Sequence, residues 1–175
     1  MTGTAFHDPI ELTEAMLQAW KTATKSRDPS TQLGAVLFRE DSSDGEGMGD
    51  YIVRQFNHLP SGVPESVLKN RDKKYEYIIH AEVAVLNLAK AMNYPVDRQT
   101  TLVCPWACCM QCAERIVEDG VGIVVVDEGA MDRTPSRWKP SIEMGHRYLR
   151  EHNVDILCIP TPKNKPETLF DGRLW

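Results

Sequence analysis

No stretch of this 175-residue chain is long and apolar enough to cross a membrane, and its start shows no signal-peptide pattern. Those absences set the expectation of a soluble, cytoplasmic protein. A basic surplus is also missing. The net charge is −5, and the most basic segment, KNRDKK at residues 69–74, is short and reads as a solvated loop. A large nucleic-acid footprint is therefore disfavoured. Internal repeats and low-complexity tracts are lacking as well, so residues 1–175 read as one domain ending in a tail from about residue 161. An even, spread set of cysteines is absent too. Of the five, Cys104, Cys108, Cys109 and Cys112 crowd together and only Cys158 stands apart. A secreted disulfide framework would distribute an even set along the chain. Crowded thiols in an intracellular protein point to metal or redox chemistry.

What is present is a pattern of alternating elements. Asp8, Pro9 and Glu11 make a helix start with capping-box spacing, and Leu12, Met16, Trp20 and Ala23 continue it as an apolar stripe. Residues 32–40 read as a strand, residues 42–49 as a Gly-rich polar loop, and residues 50–57 as the antiparallel partner strand. A long connection spans residues 58–74, and loops of that length are often functional. Residues 77–92, YIIHAEVAVLNLAKAM, read as an apolar helix. A strand at 100–106, a short helix ended by Gly120, a β-branched strand in GIVVVDEG, a helix within 135–152 and a last strand in VDILCIP follow. His146 and His152 fall on the surface of that last helix by this reading. The expected class is α/β: a three-layer α-β-α arrangement around a mixed five-stranded sheet, antiparallel in its first half and parallel in its second. The closing segment TPKNKPETLFDGRLW packs either on the domain or on a neighbour.

The histidine and carboxylate at the head of the apolar helix need a reason. Cys109 and Cys112 are three apart at a helix start, so they share a side, and a helix N-terminus favours thiolate. Alone, such a pair is as much a redox motif as a metal site. With His80 it supplies three protein ligands, the number that leaves zinc an open fourth position; Cys108 or Cys104 as a fourth ligand would instead close a structural site. Glu82 then stands where a carboxylate can move a proton from activated water to a substrate. On its own it would read as a first-turn acid that complements the helix dipole.

The order H-x-E followed by P-C-x-x-C is the signature of zinc nucleobase deaminases, and here it takes the form HAE at 80–82 and CCMQC at 108–112. The chain resembles the cytidine deaminase-like superfamily, and most closely the deoxycytidylate (dCMP) deaminases. SRDPSTQLGAVLF, FNHLPSG, KYEYIIHAE and TLVCPWACCMQCAERIVEDGV carry the resemblance in collinear order. It implies zinc held by His80, Cys109 and Cys112, with Glu82 as proton shuttle. It further implies a substrate site at Asn57 (sugar), the backbone of Ala81, Trp106 and Ala107 (base and amino group) and Tyr77 (wall). The implied reaction is hydrolysis of a cytosine deoxynucleotide to its uracil counterpart and ammonia, by a homo-oligomer, a hexamer in many relatives. Three positions depart from the pattern: Cys108 replaces a proline, His58 a glycine and Ala84 an asparagine. They leave room for a modified dCMP or a triphosphate as substrate, with His58 narrowing the sugar and phosphate end. The competing readings are deamination of another amino-heterocycle, and a non-catalytic zinc-stabilised nucleotide-binding module.

Overall fold

The computed structural model describes residues 9–39 and 52–175. The expected Asp8 cap, the Gly-rich loop and the residues of the first hairpin next to that loop lie outside the described residues. Helix α1 (Pro9–Ala23) buries Leu12, Met16, Trp20 and Ala23, the stripe that its spacing announces. Strands β1 (Gly34–Arg39), β2 (Val53–Phe56), β3 (Thr100–Val103), β4 (Ile123–Asp127) and β5 (Asp155–Ile159) form one sheet in the order β2-β1-β3-β4-β5. β1 runs antiparallel to both β2 and β3, whereas β3, β4 and β5 are parallel. The mixed five-stranded sheet expected from the sequence is therefore the observed one.

Period-two alternation divides each central strand between two cores. Val36, Phe38, Val103 and Val125 face α1. Ala35, Leu37, Leu102 and Val124 face the opposite layer, built from α3 (Ala81–Ala91) and α4 (Met110–Glu118). Helix α6 (Lys139–Glu151) packs along α4 and covers part of β5. At Gly34 a Cβ would lie 2.2 Å from the Ala19 carbonyl oxygen, so α1 rests directly on the backbone of β1.

Two sequence expectations need correction. Residues 58–74 are not a plain loop: a 3-10 turn covers Glu65–Lys69, and α2 occupies Arg71–Tyr77. Asn70 caps α2 by accepting from the Lys73 amide, a local signal hidden within a charge-rich run. The apolar helix read across residues 77–92 is also two elements. Backbone hydrogen bonds of 3.1 and 2.9 Å between His58 and Ile79 hold residues 78–80 extended, and α3 begins only at Ala81. Tertiary pairing overrides the local apolar pattern there.

Two further features were not anticipated. A short helix α5 (Glu128–Asp132) follows β4. The tail folds into a hairpin, β6 (Leu169–Phe170) and β7 (Arg173–Leu174), against this same chain.

Candidate active site

Two helices begin at the ends of two connections and point the same chemistry at one spot. His80 is the N-cap of α3 and Cys109 the N-cap of α4, and neither side chain makes a capping hydrogen bond. N-caps are ordinarily Ser, Thr, Asp or Asn, which satisfy free helical N–H groups. Here both caps turn toward each other instead. His80 Nδ1 lies 3.6 Å from Cys109 Sγ and 3.3 Å from Cys112 Sγ, and the two sulfurs are 3.6 Å apart. A tetrahedral zinc with ordinary bond lengths would separate two sulfur ligands by about 3.8 Å, and sulfur from nitrogen by about 3.6 Å. The three donors are thus spaced close to three corners of a zinc tetrahedron, and the set of two thiols and one imidazole suits that metal.

Glu82, on the first turn of α3, is 2% exposed beside this cluster. Burial pushes its carboxyl up to about 7, against the pull of the His80 charge. Cys109 is held low by the hydrogen bond from Cys112 and then by His80, while Cys112 moves up as the partner keeping the proton. At His80, burial works downward, but the Cys109 hydrogen bond and the Glu82 charge outweigh it and leave the imidazole raised. Buried Cys104 and Cys108 behave differently: desolvation drives both thiols up, and neither joins the donor cluster.

The metal loop is braced from behind by α6, which the sequence reading did not foresee. His146 Nε2 lies 2.7 Å from the Ala107 carbonyl oxygen, and Ser141 Oγ accepts from the Met110 amide at 3.3 Å. Between them, a Cβ on Gly145 would fall 2.5 Å from the Cys108 carbonyl oxygen, so only glycine allows α6 this close to the loop. His146, expected on the surface of the last helix, is instead half-buried against the loop. Burial also lowers its imidazole from the ordinary value.

A cavity opens in front of His80, Glu82 and Cys109, and two walls flank it. One is the loop of Asp28, Thr31 and Leu33 with Asn57 and Lys74; the other is Trp106, Trp138 and Ile142. Asn57 lines the cavity as expected, but its amide is committed to the scaffold. It accepts from the Leu33 amide at 2.8 Å and donates to the Thr31 carbonyl at 2.9 Å. Trp106 lines the other wall and donates from Nε1 to Thr134. Ala81 and Ala107 are fully buried beside the cluster. Tyr77 is 44% exposed and does not line the cavity; Tyr75, two residues earlier on α2, does. His58, expected to narrow the pocket, is not a lining residue either: it pairs through its backbone with Ile79, and its ring rests on Phe56.

Asp28, Lys74, Tyr75 and Trp138 are among the wall residues the sequence reading missed. Asp28 had a signal, because an Asp-Pro pair commonly shapes a loop. Trp138 had none, since it reaches the cavity only through the placement of α6.

Comparison with known proteins agrees with this geometry. Residues 10–128 match the family described as the cytidine and deoxycytidylate deaminase zinc-binding region. An uncharacterized deaminase in the luxG 3' region of Aliivibrio fischeri is 30% identical over 137 residues, covering 77% of this chain and 84% of that protein. Human deoxycytidylate deaminase is 28% identical over 117 residues; the match takes in 63% of this chain and 60% of the human protein. The crystal structure of the dCMP deaminase of cyanophage S-TIM5 in complex with dCMP and dUMP superposes with a TM-score of 0.63. It covers 88% of this chain and all of that one at 18% identity, which establishes a shared fold. This chain belongs to the cytidine and deoxycytidylate deaminase family.

Proposed function

We propose that the protein deaminates a cytosine deoxynucleotide hydrolytically, with dCMP going to dUMP and ammonia as the leading case. The observation that carries this is the buried Glu82 beside a His80–Cys109–Cys112 donor set at the head of a cavity. Three protein ligands leave zinc a free position, and a closed structural site would have no use for the carboxylate. When bound, zinc supplies Lewis acidity that lets a water molecule lose a proton at neutral pH. Burial, opposed by the His80 charge, sets the Glu82 carboxyl at about 7, where it can both take and return a proton. Glu82 accepts the proton from the attacking water and delivers it to N3 of the ring as the new C4–O bond forms. The same carboxylate next takes the remaining proton from the new C4 hydroxyl and passes it to the amino group; the C4–N bond breaks, ammonia leaves and the C4 carbonyl forms. Burial keeps bulk water from competing for that proton.

The backbone of Ala81, Trp106 and Ala107 presents the base to this centre, and Asn57 shapes the sugar end by holding the Leu33 and Thr31 backbone. These assignments rest on position and on resemblance. A polynucleotide substrate is disfavoured by the net charge of −5. Among the described residues no helix is long and apolar enough to cross a membrane. We read residues 1–175 as one catalytic domain that works in the cytoplasm as a homo-oligomer, a hexamer by resemblance to its relatives. Sedimentation of the zinc-loaded chain tests the assembly.

The activity test is ammonia release by zinc-loaded protein offered dCMP, dCTP, CMP, deoxycytidine and 5-substituted dCMP. Turnover of dCMP or a modified dCMP, lost in Glu82→Gln, is the expected result. Silence across the panel from folded, zinc-loaded protein would remove the substrate reading.

A further inference from the structure

The family match ends at residue 128, yet the cavity is finished by residues beyond it. Trp138 and Ile142 line it, and the C-terminal hairpin touches two of its lining residues, Thr31 and Trp106. That hairpin has a two-residue turn, Asp171-Gly172, with both residues at positive φ (50° and 77°), the geometry that matches strand twist in tight hairpins. Mutual hydrogen bonds between the Thr168 and Trp175 backbones, 2.9 and 2.8 Å, close its base.

The contacts made by this hairpin fall on both cavity walls. On one side it is stitched to the loop that carries Thr31. The Gln32 amide donates to the Leu169 carbonyl at 2.8 Å, the Gly172 amide to the Ser30 carbonyl at 2.7 Å, and the Asp171 amide to Thr31 Oγ1 at 3.2 Å. On the other side the Phe170 ring meets Trp106 edge-on at 5.1 Å, and Asp171 pairs with Arg137, the neighbour of Trp138. The hairpin is anchored away from the cavity. Trp175 stacks edge-on against Trp20 of α1 at 5.1 Å, lies under the Arg133 guanidinium at 4.3 Å, and touches Phe170 at 5.6 Å. A chain of rings, Trp20–Trp175–Phe170–Trp106–Trp138–Tyr75, thus runs from the back of the fold to the cavity.

We propose that the C-terminal hairpin is a positioning element of the active site: Phe170, anchored by Trp175, sets the separation between the Trp106 wall and the Ser30–Leu33 wall, and so sets how tightly substrate is gripped. None of its residues reaches His80, Glu82 or the thiols, so its effect falls on binding and leaves proton transfer alone. Aromatic contacts of this kind are directional, which lets them fix a wall as well as fill space. The kinetic half of the test rests on the deaminase reading, whereas the structural half does not.

The experiment compares full-length, zinc-loaded wild type with Phe170→Ala, Phe170→Leu and Trp175→Ala, measuring dCMP kinetics and backbone hydrogen exchange. The expected result is a KM raised about tenfold in Phe170→Ala, about threefold in Phe170→Leu and about fivefold in Trp175→Ala, with kcat within about twofold of wild type. Exchange should speed up at residues 28–33 and 106–109 in the same order, while β4 stays protected. A merely structural hairpin would lower the melting temperature with KM and rim exchange unchanged, and that outcome overturns the proposal. A fall in kcat at constant KM overturns it too. Should wild type turn over no nucleotide, the functional reading fails by itself, and the exchange pattern still decides for or against the hairpin.

Discussion

The Lys74 ammonium sits 3.1 Å from the Asp28 carboxylate, with only 5% and 3% of the two side chains exposed. This pair ties α2 to the loop that opens the cavity wall, and Ser30 Oγ completes the ammonium shell at 2.5 Å. The two ends are unequally supported. Asp28 also accepts from the Ser30 amide at 2.8 Å, Ser30 Oγ at 2.9 Å and the Thr31 amide at 3.1 Å. Asp28→Ala therefore leaves a buried cation with little to hold it, and should cost about 3–5 kcal/mol. Lys74→Met leaves a carboxylate that keeps its other donors, and should cost less. Urea unfolding of the two variants checks the order; equal or reversed losses would contradict it.

A second expectation concerns the backing of the metal loop. Gly145→Ala places a methyl 2.5 Å from the Cys108 carbonyl oxygen, which is backbone and cannot swing away. Either α6 or the loop must shift. The variant should lose about 1–3 kcal/mol of stability, and its zinc affinity should fall about 10–100-fold as the Cys109 support moves. Met144→Ala, at a neighbouring exposed position, should change neither. Competition with a chelator of known affinity gives the zinc figure.

The lowered His146 imidazole carries a pH signature. Its pKa in the folded protein is lowered, first by burial and then by the Arg150 charge, against the upward pull of the Ala107 carbonyl. A histidine depressed on folding contributes stability that is complete above its unfolded pKa, near 6.5, and is lost as pH falls through the lower folded value. Thermal unfolding should thus show a stability loss between neutral pH and the acid side of 6.5. His146→Gln keeps a donor for Ala107 without titrating, and should flatten that part of the profile. An unchanged slope would mean that other groups carry it.

Zinc stoichiometry separates ligand from bystander among the thiols. Cys108→Ala should still bind about one zinc per chain, since its buried thiol is pushed upward and lies outside the donor cluster. Cys109→Ala and Cys112→Ala should each bind less than a tenth as much at micromolar metal. Metal analysis after desalting reads this directly.

Glu82→Gln is the sharpest separation of metal from chemistry. Neutral glutamine keeps the shape but can neither accept nor return a proton. Turnover should fall by roughly 10²–10⁴-fold, with about one zinc per chain retained. Loss of zinc along with activity would assign Glu82 a structural part instead.

Most of the fold could be read in the chain because its signals are local. The α1 stripe of Leu12, Met16 and Trp20, the β-branched run of β4 and the helix stop at Gly120 each follow from periodicity and turn chemistry over a few residues. The His80–Cys109–Cys112 cluster, able to hold a metal, was legible for a related reason: Cys109 and Cys112 are one helical turn apart, and His80 and Glu82 share one helix start. What tertiary structure alone decided are relations across long separations. Asp28 and Lys74 look like ordinary charges until a loop and a helix 46 residues apart meet. His146 looks like a surface histidine until α6 docks on Ala107, 39 residues away. Residues 78–80 carry an apolar helical pattern, but pairing with His58 draws them out into extended backbone. Local spacing encodes which side chains share a face of one element. Which faces meet depends on packing the whole sheet and its helices together, and that determined the cavity walls, the docking of α6 behind Ala107 and Cys108, and the seat of the C-terminal hairpin on Trp106 and the Ser30–Gln32 backbone.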